Sequence, residues 1–303
     1  MRHRLGAWIA LSRPPFHTVG LLPFVLGNVL AWRHTADFCW DVAVWGSLGV
    51  VLVMLATYYS GEYWDYAEDL LSGRLGGSRF AGGSQVPQRG LLSRRAPLIA
   101  SLVCLMLAIA VGLVLQFVYH TGPWTIPMGL LGIAGGFFYS TRPLRWVSRG
   151  WGELWIAFCY GWLPVAVGYY LQVGTLRPLV HWLAVPIGLT IFNVILLNEF
   201  PDYPADAVAG KANLAVRLGL ERASRLYAGA SVASWAAMLL SLRQGVPIRV
   251  VVLYAPILLL SMLVAVRVMR GDWRDRGTLE RLCALNLLVN LGTTASYIVA
   301  CLS

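Results

Sequence analysis

The chain contains only 14 acidic residues, and half of them fall in two short windows. The first runs Gly61-Glu62-Tyr63-Trp64-Asp65-Tyr66-Ala67-Glu68-Asp69, the second Asn198-Glu199-Phe200-Pro201-Asp202-Tyr203-Pro204-Ala205-Asp206. Placed in register, they pair Glu62 with Glu199, Asp65 with Asp202, Tyr66 with Tyr203 and Asp69 with Asp206. Residues four apart on a helix share a face one turn apart, so each window presents a carboxylate pair, Asp65 with Asp69 and Asp202 with Asp206. Like charges at that spacing repel and contribute nothing to a helix unless a cation lies between them. Hard oxygen donors facing one another suit Mg2+, which keeps several waters and is commonly shared with substrate phosphates. These four aspartates are the candidate metal ligands and catalytic carboxylates. The segment 73–90, dense in Gly, Ser and Arg, offers backbone N–H groups and guanidinium charge to a phosphate. It has no GxxxxGK[ST] pattern, which excludes a nucleotide P-loop. Lys211, the sole lysine, follows Asp206 by five residues and would act as a compact point charge on a phosphate.

The elements that carry these windows are membrane helices. The 303 residues are 58% hydrophobic and 13% charged, against about 25% charged for soluble domains, and too little charge is present to cover a water-exposed surface. A soluble enzyme, a nucleic-acid binder and a disordered chain are therefore excluded. Nine apolar runs approach the roughly 20 residues needed to span a bilayer, near 16–32, 40–60, 96–119, 124–140, 154–171, 182–197, 226–242, 250–268 and 279–301. The fold expected is all-α, a single polytopic domain over 1–303, with nine transmembrane helices in two four-helix repeats plus one helix. With nine spans, 20 of the 24 basic residues fall on one side and four (Arg33, Arg177, Arg243, Arg249) on the other. The positive-inside rule then places the N-terminus, Arg2 included, and both acidic windows on the cytoplasmic face of a cell membrane. Five scattered cysteines without a CxxC pair and five dispersed histidines support neither a disulfide framework nor a zinc site.

Taken together, these residues resemble the UbiA superfamily of membrane-embedded aromatic prenyltransferases, whose signatures are NxxxDxxxD after the second helix and DxxxD after the sixth. Gly82-Gly83-Ser84 with Pro87, Tyr139-Ser140 with Arg142-Pro143-Leu144, Gly152-Glu153 and Ala209-Gly210-Lys211 also fit, and the loop is similar to that of the naphthoate prenyltransferase branch. The resemblance implies Mg2+-dependent transfer of a polyprenyl group from its diphosphate to an aromatic acceptor, such as 1,4-dihydroxy-2-naphthoate. It implies Asp65, Asp69, Asp202 and Asp206 on the metal, Lys211, Arg142 and Asn198 on the diphosphate, and Tyr139 facing the allylic cation, with Tyr66 and Tyr203 as further candidates. Gly61 departs from the family pattern where Asn is expected, and Glu62, Ser60 or water are the available substitutes. That change keeps open a related enzyme with another acceptor or a terpene cyclase. A carboxylate-site transporter is the alternative from a different class, although such sites usually lie at the bilayer midplane and not at helix ends.

Overall fold

The structure, a computed structural model, describes residues 2–35 and 37–302. Met1 and Ser303, the ends of the assigned domain, and the side chain of Arg2 lie outside the described residues. All regular structure among them is helical: α1 (Arg2–Ser12), α2 (Pro14–His34), α3 (Trp40–Trp64), α4 (Tyr66–Arg74), α5 (Ala96–Phe117), α6 (Thr125–Ser140), α7 (Gly152–Ala157), α8 (Leu163–Val173), α9 (Pro178–Asn198), α10 (Tyr203–Val208), α11 (Leu214–Leu218), α12 (Leu220–Ser241), α13 (Val250–Arg270) and α14 (Arg276–Leu302). A π-helical turn, Phe158–Trp162, joins α7 to α8 without a break.

Eight of the nine apolar runs each fall on one of these helices, and the fifth, 154–171, covers α7, the π turn and α8. Among the described residues, seven helical segments are long and apolar enough to cross a membrane: α2, α3, α5, the continuous stretch Gly152–Val173, α9, α13 and α14. α6 is apolar but shorter, at 16 residues, and α12 opens on Glu221, Arg222 and Arg225, which dilutes its hydropathy.

Burial orders the helices from centre to rim. The most apolar window of α9 is 61% buried, whereas those of α5 and α13 are 28% buried. Their outward faces carry Met106, Val252 and Leu259, each more than two-thirds exposed. Such a surface is stable against lipid and unstable against water. Lipid supplies no hydrophobic drive between helices, so close backbone approach and interhelical hydrogen bonds hold the bundle together. Gly27 of α2 and Gly168 of α8 provide the first, since a Cβ at either would overlap the opposite backbone at Val165 or Phe24. Gly161 in the π turn meets Gly188 of α9 in the same way, an added Cβ lying 2.5 Å from its Cα. Asn193 of α9 donates to Ser231 Oγ at 2.8 Å, and Asn286 of α14 donates to the Asn193 carbonyl at 2.9 Å.

The short helices α4 and α10 pack against each other at one end of this bundle. Each follows a long helix, α3 or α9, and each junction carries one of the acidic windows.

The α2–α8 contact leaves no room for a branched side chain. Gly168→Val is expected to destabilise the protein by about 1–3 kcal/mol, read as a lower thermal midpoint in detergent, whereas Gly112→Ala, where an added Cβ meets nothing within 4 Å, leaves the midpoint unchanged.

Candidate active site

The chain bends at Asp65, between α3 and α4, but the backbone hydrogen bonds run through the bend. Asp65 N–H reaches the Gly61 carbonyl at 2.8 Å, and Asp69 N–H reaches the Asp65 carbonyl at 2.9 Å. The second window repeats this with Asp206 N–H on the Asp202 carbonyl at 2.8 Å. The i, i+4 pairing read from sequence therefore survives in both windows. All four aspartates line one cavity of about 220 Å³, together with Tyr139, Asn198 and Lys211.

The two windows are tied through the segment between α4 and α5. Asp202 accepts from Ser72 Oγ and, at 2.7 Å, from the Gly82 N–H. Glu62 accepts from the Ser84 N–H at 2.6 Å and from Ser84 Oγ at 2.8 Å. The glycine-rich loop was expected to turn its N–H groups toward a phosphate; those of Gly82 and Ser84 instead bind the protein's own carboxylates. Gly82 and Gly83 both lie in the left-handed region, with φ of 72° and 66°, and a Cβ on Gly83 would overlap the Asp69 carboxylate. Glycine is required there on both counts.

Arginine placement corrects the sequence reading. Arg142 is exposed and is not among the cavity-lining residues. Arg145, with φ of 44°, turns inward and bridges Asp65 at 3.2 Å and Glu68. Ser140 Oγ donates to the other Asp65 oxygen. Lys211 pairs with Asp206 at 3.3 Å, and Asn213 donates to the second Asp206 oxygen at 2.7 Å.

Electrostatics follow from this crowding. Burial pushes Asp69 well above the usual carboxylate range, the charges of Asp65 and Glu62 add to the effect, and Lys211 opposes it. Burial raises Asp206 to about 6, with Lys211 opposing and Asp202 adding. Burial alone would lower the Lys211 ammonium, but Asp65, Asp206, Asp69 and Asp202 together lift it above its ordinary value. Burial works against ionised Glu68 as well, yet its bond to Arg145 leaves it below the ordinary range.

Among the described residues no three carboxylate, imidazole or thiolate groups are gathered as a ready-made metal cage. The donor set nevertheless fits Mg2+, which takes one or two protein carboxylates and fills the remaining positions with water and phosphate oxygens. Asn198 adds a buried Oδ1 with no hydrogen-bond partner at the wall of the same cavity, a free acceptor of the kind a hydrated cation satisfies. At Gly61 an added Cβ would sit 3.6 Å from Ser140 Oγ and 3.9 Å from Asp65 Oδ2, in ordinary contact. Of the substitutes considered for the missing Asn, Ser60 is fully buried and donates to the Thr57 carbonyl, while Glu62 lines the cavity but is engaged by Ser84.

Tyr139 is on the cavity wall; Tyr66 and Tyr203 are not, and Tyr58 and Tyr160 are. Tyr66 lies under the Arg94 guanidinium, and Tyr203 packs against the apolar cluster of α9, α12 and α14. Tyr160 comes from the π turn, an element that hydrophobic periodicity does not reveal. Arg13, which lines the cavity and precedes Pro14-Pro15 with φ of 50°, also escaped sequence reading, though an arginine before two prolines at a helix start is a visible signal. Thr57, Ile156 and Tyr160 are shared with a second, apolar chamber of about 130 Å³ between α3, α5, α6 and α8.

Gly83→Ala is expected to weaken Mg2+-dependent pyrophosphate binding by about tenfold or more, as loss of a supporting contact to a metal site typically does. Calorimetry on the detergent-solubilised protein checks this, with the thermal midpoint as the control for folding.

Comparison with known proteins agrees with this geometry. Residues 20–288 match the model of the UbiA prenyltransferase family. The chain is 32% identical over 227 residues to the 1,4-dihydroxy-2-naphthoate octaprenyltransferase of Mycobacterium tuberculosis, covering 73% of each. It is 29% identical over 232 residues to the enzyme of the same description from Mycobacterium leprae, covering 75% of this chain and 74% of that one. Among solved structures, a UbiA homolog from Archaeoglobus fulgidus bound to GPP and Mg2+ shares the fold, with a TM-score of 0.68 at 17% identity over 97% of this chain and 99% of that one. The chain belongs to the UbiA prenyltransferase family and is a multi-pass membrane prenyltransferase.

Proposed function

We propose that the protein transfers a polyprenyl group from polyprenyl diphosphate to 1,4-dihydroxy-2-naphthoate or a related quinone precursor, at the cytoplasmic face of the cell membrane. The observation that carries this reading is the meeting of both acidic windows in one cavity that continues into an apolar chamber. The acceptor comes from the naphthoate prenyltransferases to which the chain is similar. Nine spans in two four-helix repeats plus one, with a cytoplasmic N-terminus, are the topology that the 20 to four division of basic residues supports.

Asp65, Asp69, Asp202 and Asp206 would hold Mg2+, which supplies charge neutralisation of the diphosphate leaving group when bound. Lys211, buried beside Asp206, binds phosphate oxygens as a point charge, and Asn198 contributes its free amide. Arg142, given that role by the family resemblance, lies outside the cavity lining, and so does Arg145, which instead orients Asp65. The allylic C–O bond breaks with its electron pair leaving on the diphosphate; the acceptor's ring carbon forms the new C–C bond and then releases its proton, or CO2 if it is the carboxyl-bearing carbon, so that the ring regains aromaticity. Tyr139 offers π-electron density to the allylic cation without competing as a nucleophile. Arg13 provides a cation for an acidic acceptor. The chamber takes the distal part of the tail and excludes water from the reaction.

Asp65→Ala and Asp202→Ala are each expected to lower pyrophosphate release from membranes supplied with prenyl diphosphate, acceptor and Mg2+ by about 100-fold or more. Full turnover in both variants would exclude this function, and mass spectrometry of products from a panel of acceptors identifies the ring used. Chain-length selection is expected to respond to Gly132, which lines the chamber and whose added Cβ meets only Leu163 Cδ2 at 3.4 Å. Gly132→Phe should shift the preferred donor to a shorter prenyl diphosphate, measured as the ratio of kcat/KM values for two donor lengths.

A further inference from the structure

Three buried glutamates outside the four-aspartate set have no lysine or arginine ion-pair partner among the described residues: Glu62, which Ser84 engages, and Glu153 and Glu199. Glu153 on α7 is 1% exposed, and Glu199 at the C-terminal end of α9 is 9% exposed. An unpaired carboxylate in such a position is costly. Both point at the same short stretch of backbone. Glu153 Oε1 accepts from the Leu214 N–H at 2.6 Å, and Glu199 Oε2 accepts from the Ala215 N–H at 3.2 Å. These adjacent amides open α11, whose capping residue Asn213 accepts from the Val216 N–H at 2.9 Å with its Oδ1.

From there the contacts lead directly into the active-site cavity. Asn213 uses its Nδ2 to donate to Asp206 at 2.7 Å. Lys211, two residues earlier, donates its backbone N–H to the Asp206 carbonyl at 2.9 Å and brings its Nζ to 3.3 Å from the carboxylate. No regular helix holds the link between α10 and α11, so its position depends on what the amides of Leu214 and Ala215 meet.

We propose that Glu153 and Glu199 are positioning residues that clamp the backbone at 214–215, and thereby hold Lys211 and Asn213 against Asp206 in the geometry that receives the diphosphate. The proposal deepens the prenyl-transfer reading and rests on it for its ligand. The clamp joins α7 and α9 to the segment that carries the only lysine. Glu153 Oε2 is buried with no partner in the protein, and burial pushes Glu199 well above the ordinary range, with the neighbouring Glu153 adding to it.

The test compares Glu153→Gln and Glu199→Gln, which keep an accepting oxygen, with Glu153→Leu and Glu199→Leu, which do not. Binding of inorganic pyrophosphate with Mg2+ is read by calorimetry, separately from turnover. The leucine variants are expected to bind about tenfold or more weakly, with the KM for prenyl diphosphate rising more than kcat falls, and the glutamine variants to stay close to wild type. Glu199→Asp, too short to reach Ala215, covers the case in which a leucine variant does not fold, and is expected to weaken binding likewise. Wild-type affinity in folded leucine or aspartate variants would overturn the clamp, as would glutamine variants as impaired as leucine. If wild-type protein does not bind Mg2+ pyrophosphate, the prenyl-diphosphate reading fails and the clamp with it; unchanged variants beside a binding wild type overturn the clamp alone.

Discussion

Charge removed from water must be paired or neutralised, and here Asp65, Asp69, Asp202 and Asp206 face one cavity at the end of a lipid-embedded bundle with Lys211 beside them. Two unit charges about 4 Å apart interact by about 4 kcal/mol at an effective dielectric near 20. A typical protein hydrogen bond contributes only about 1 kcal/mol net. Hydrogen bonds alone therefore do not offset the mutual repulsion of four ionised carboxylates, and protonation, which burial favours at Asp69, or cations must. Lys211 supplies one charge from within the cluster, Arg145 supplies another at its edge, and a divalent ion fits the remaining deficit.

That constraint accounts for much of the local architecture. Ser72 of α4 solvates Asp202 with a hydroxyl, the loop between α4 and α5 folds back so that Gly82 adds an amide, and glycine at 82 and 83 lets the backbone come that close. The long helix α3 ends within the first window, at Trp64, and α9 ends at the start of the second, at Asn198. The π turn in the α7 to α8 stretch places Tyr160 on the wall shared by the polar cavity and the apolar chamber. A substrate with a charged head and a hydrocarbon tail matches that division, polar on one side and dry on the other.

Features set by local pattern were legible in the sequence. The all-helical class followed from long apolar runs, and the aspartate pairs from i, i+4 spacing, because neither depends on distant contacts. Asn198, Tyr139 and Lys211 line the same cavity as the aspartates, and each adjoins a window or belongs to the family motifs. What was not legible depended on single dihedral angles or long-range packing. Arg142 and Arg145 are equivalent by composition, and only the left-handed backbone at Arg145 decides which one turns inward. The loop amides looked available for phosphate because nothing local shows that Asp202 and Glu62 reach them from other helices. Arg13 joins the cavity from a chain segment far in sequence from both windows, brought there by the bundle.

The central claim is that two windows separated by most of a bundle form one site for a metal ion and a diphosphate. Electron paramagnetic resonance titration of Mn2+ into the detergent-solubilised protein, with and without a non-hydrolysable prenyl thiolodiphosphate, tests it most directly. The account predicts that metal and analogue tighten each other's binding, and that Asp65→Asn in one window and Asp202→Asn in the other each abolish this coupling. Mn2+ bound tightly by one window, indifferent to the analogue and to substitution in the other window, would contradict it.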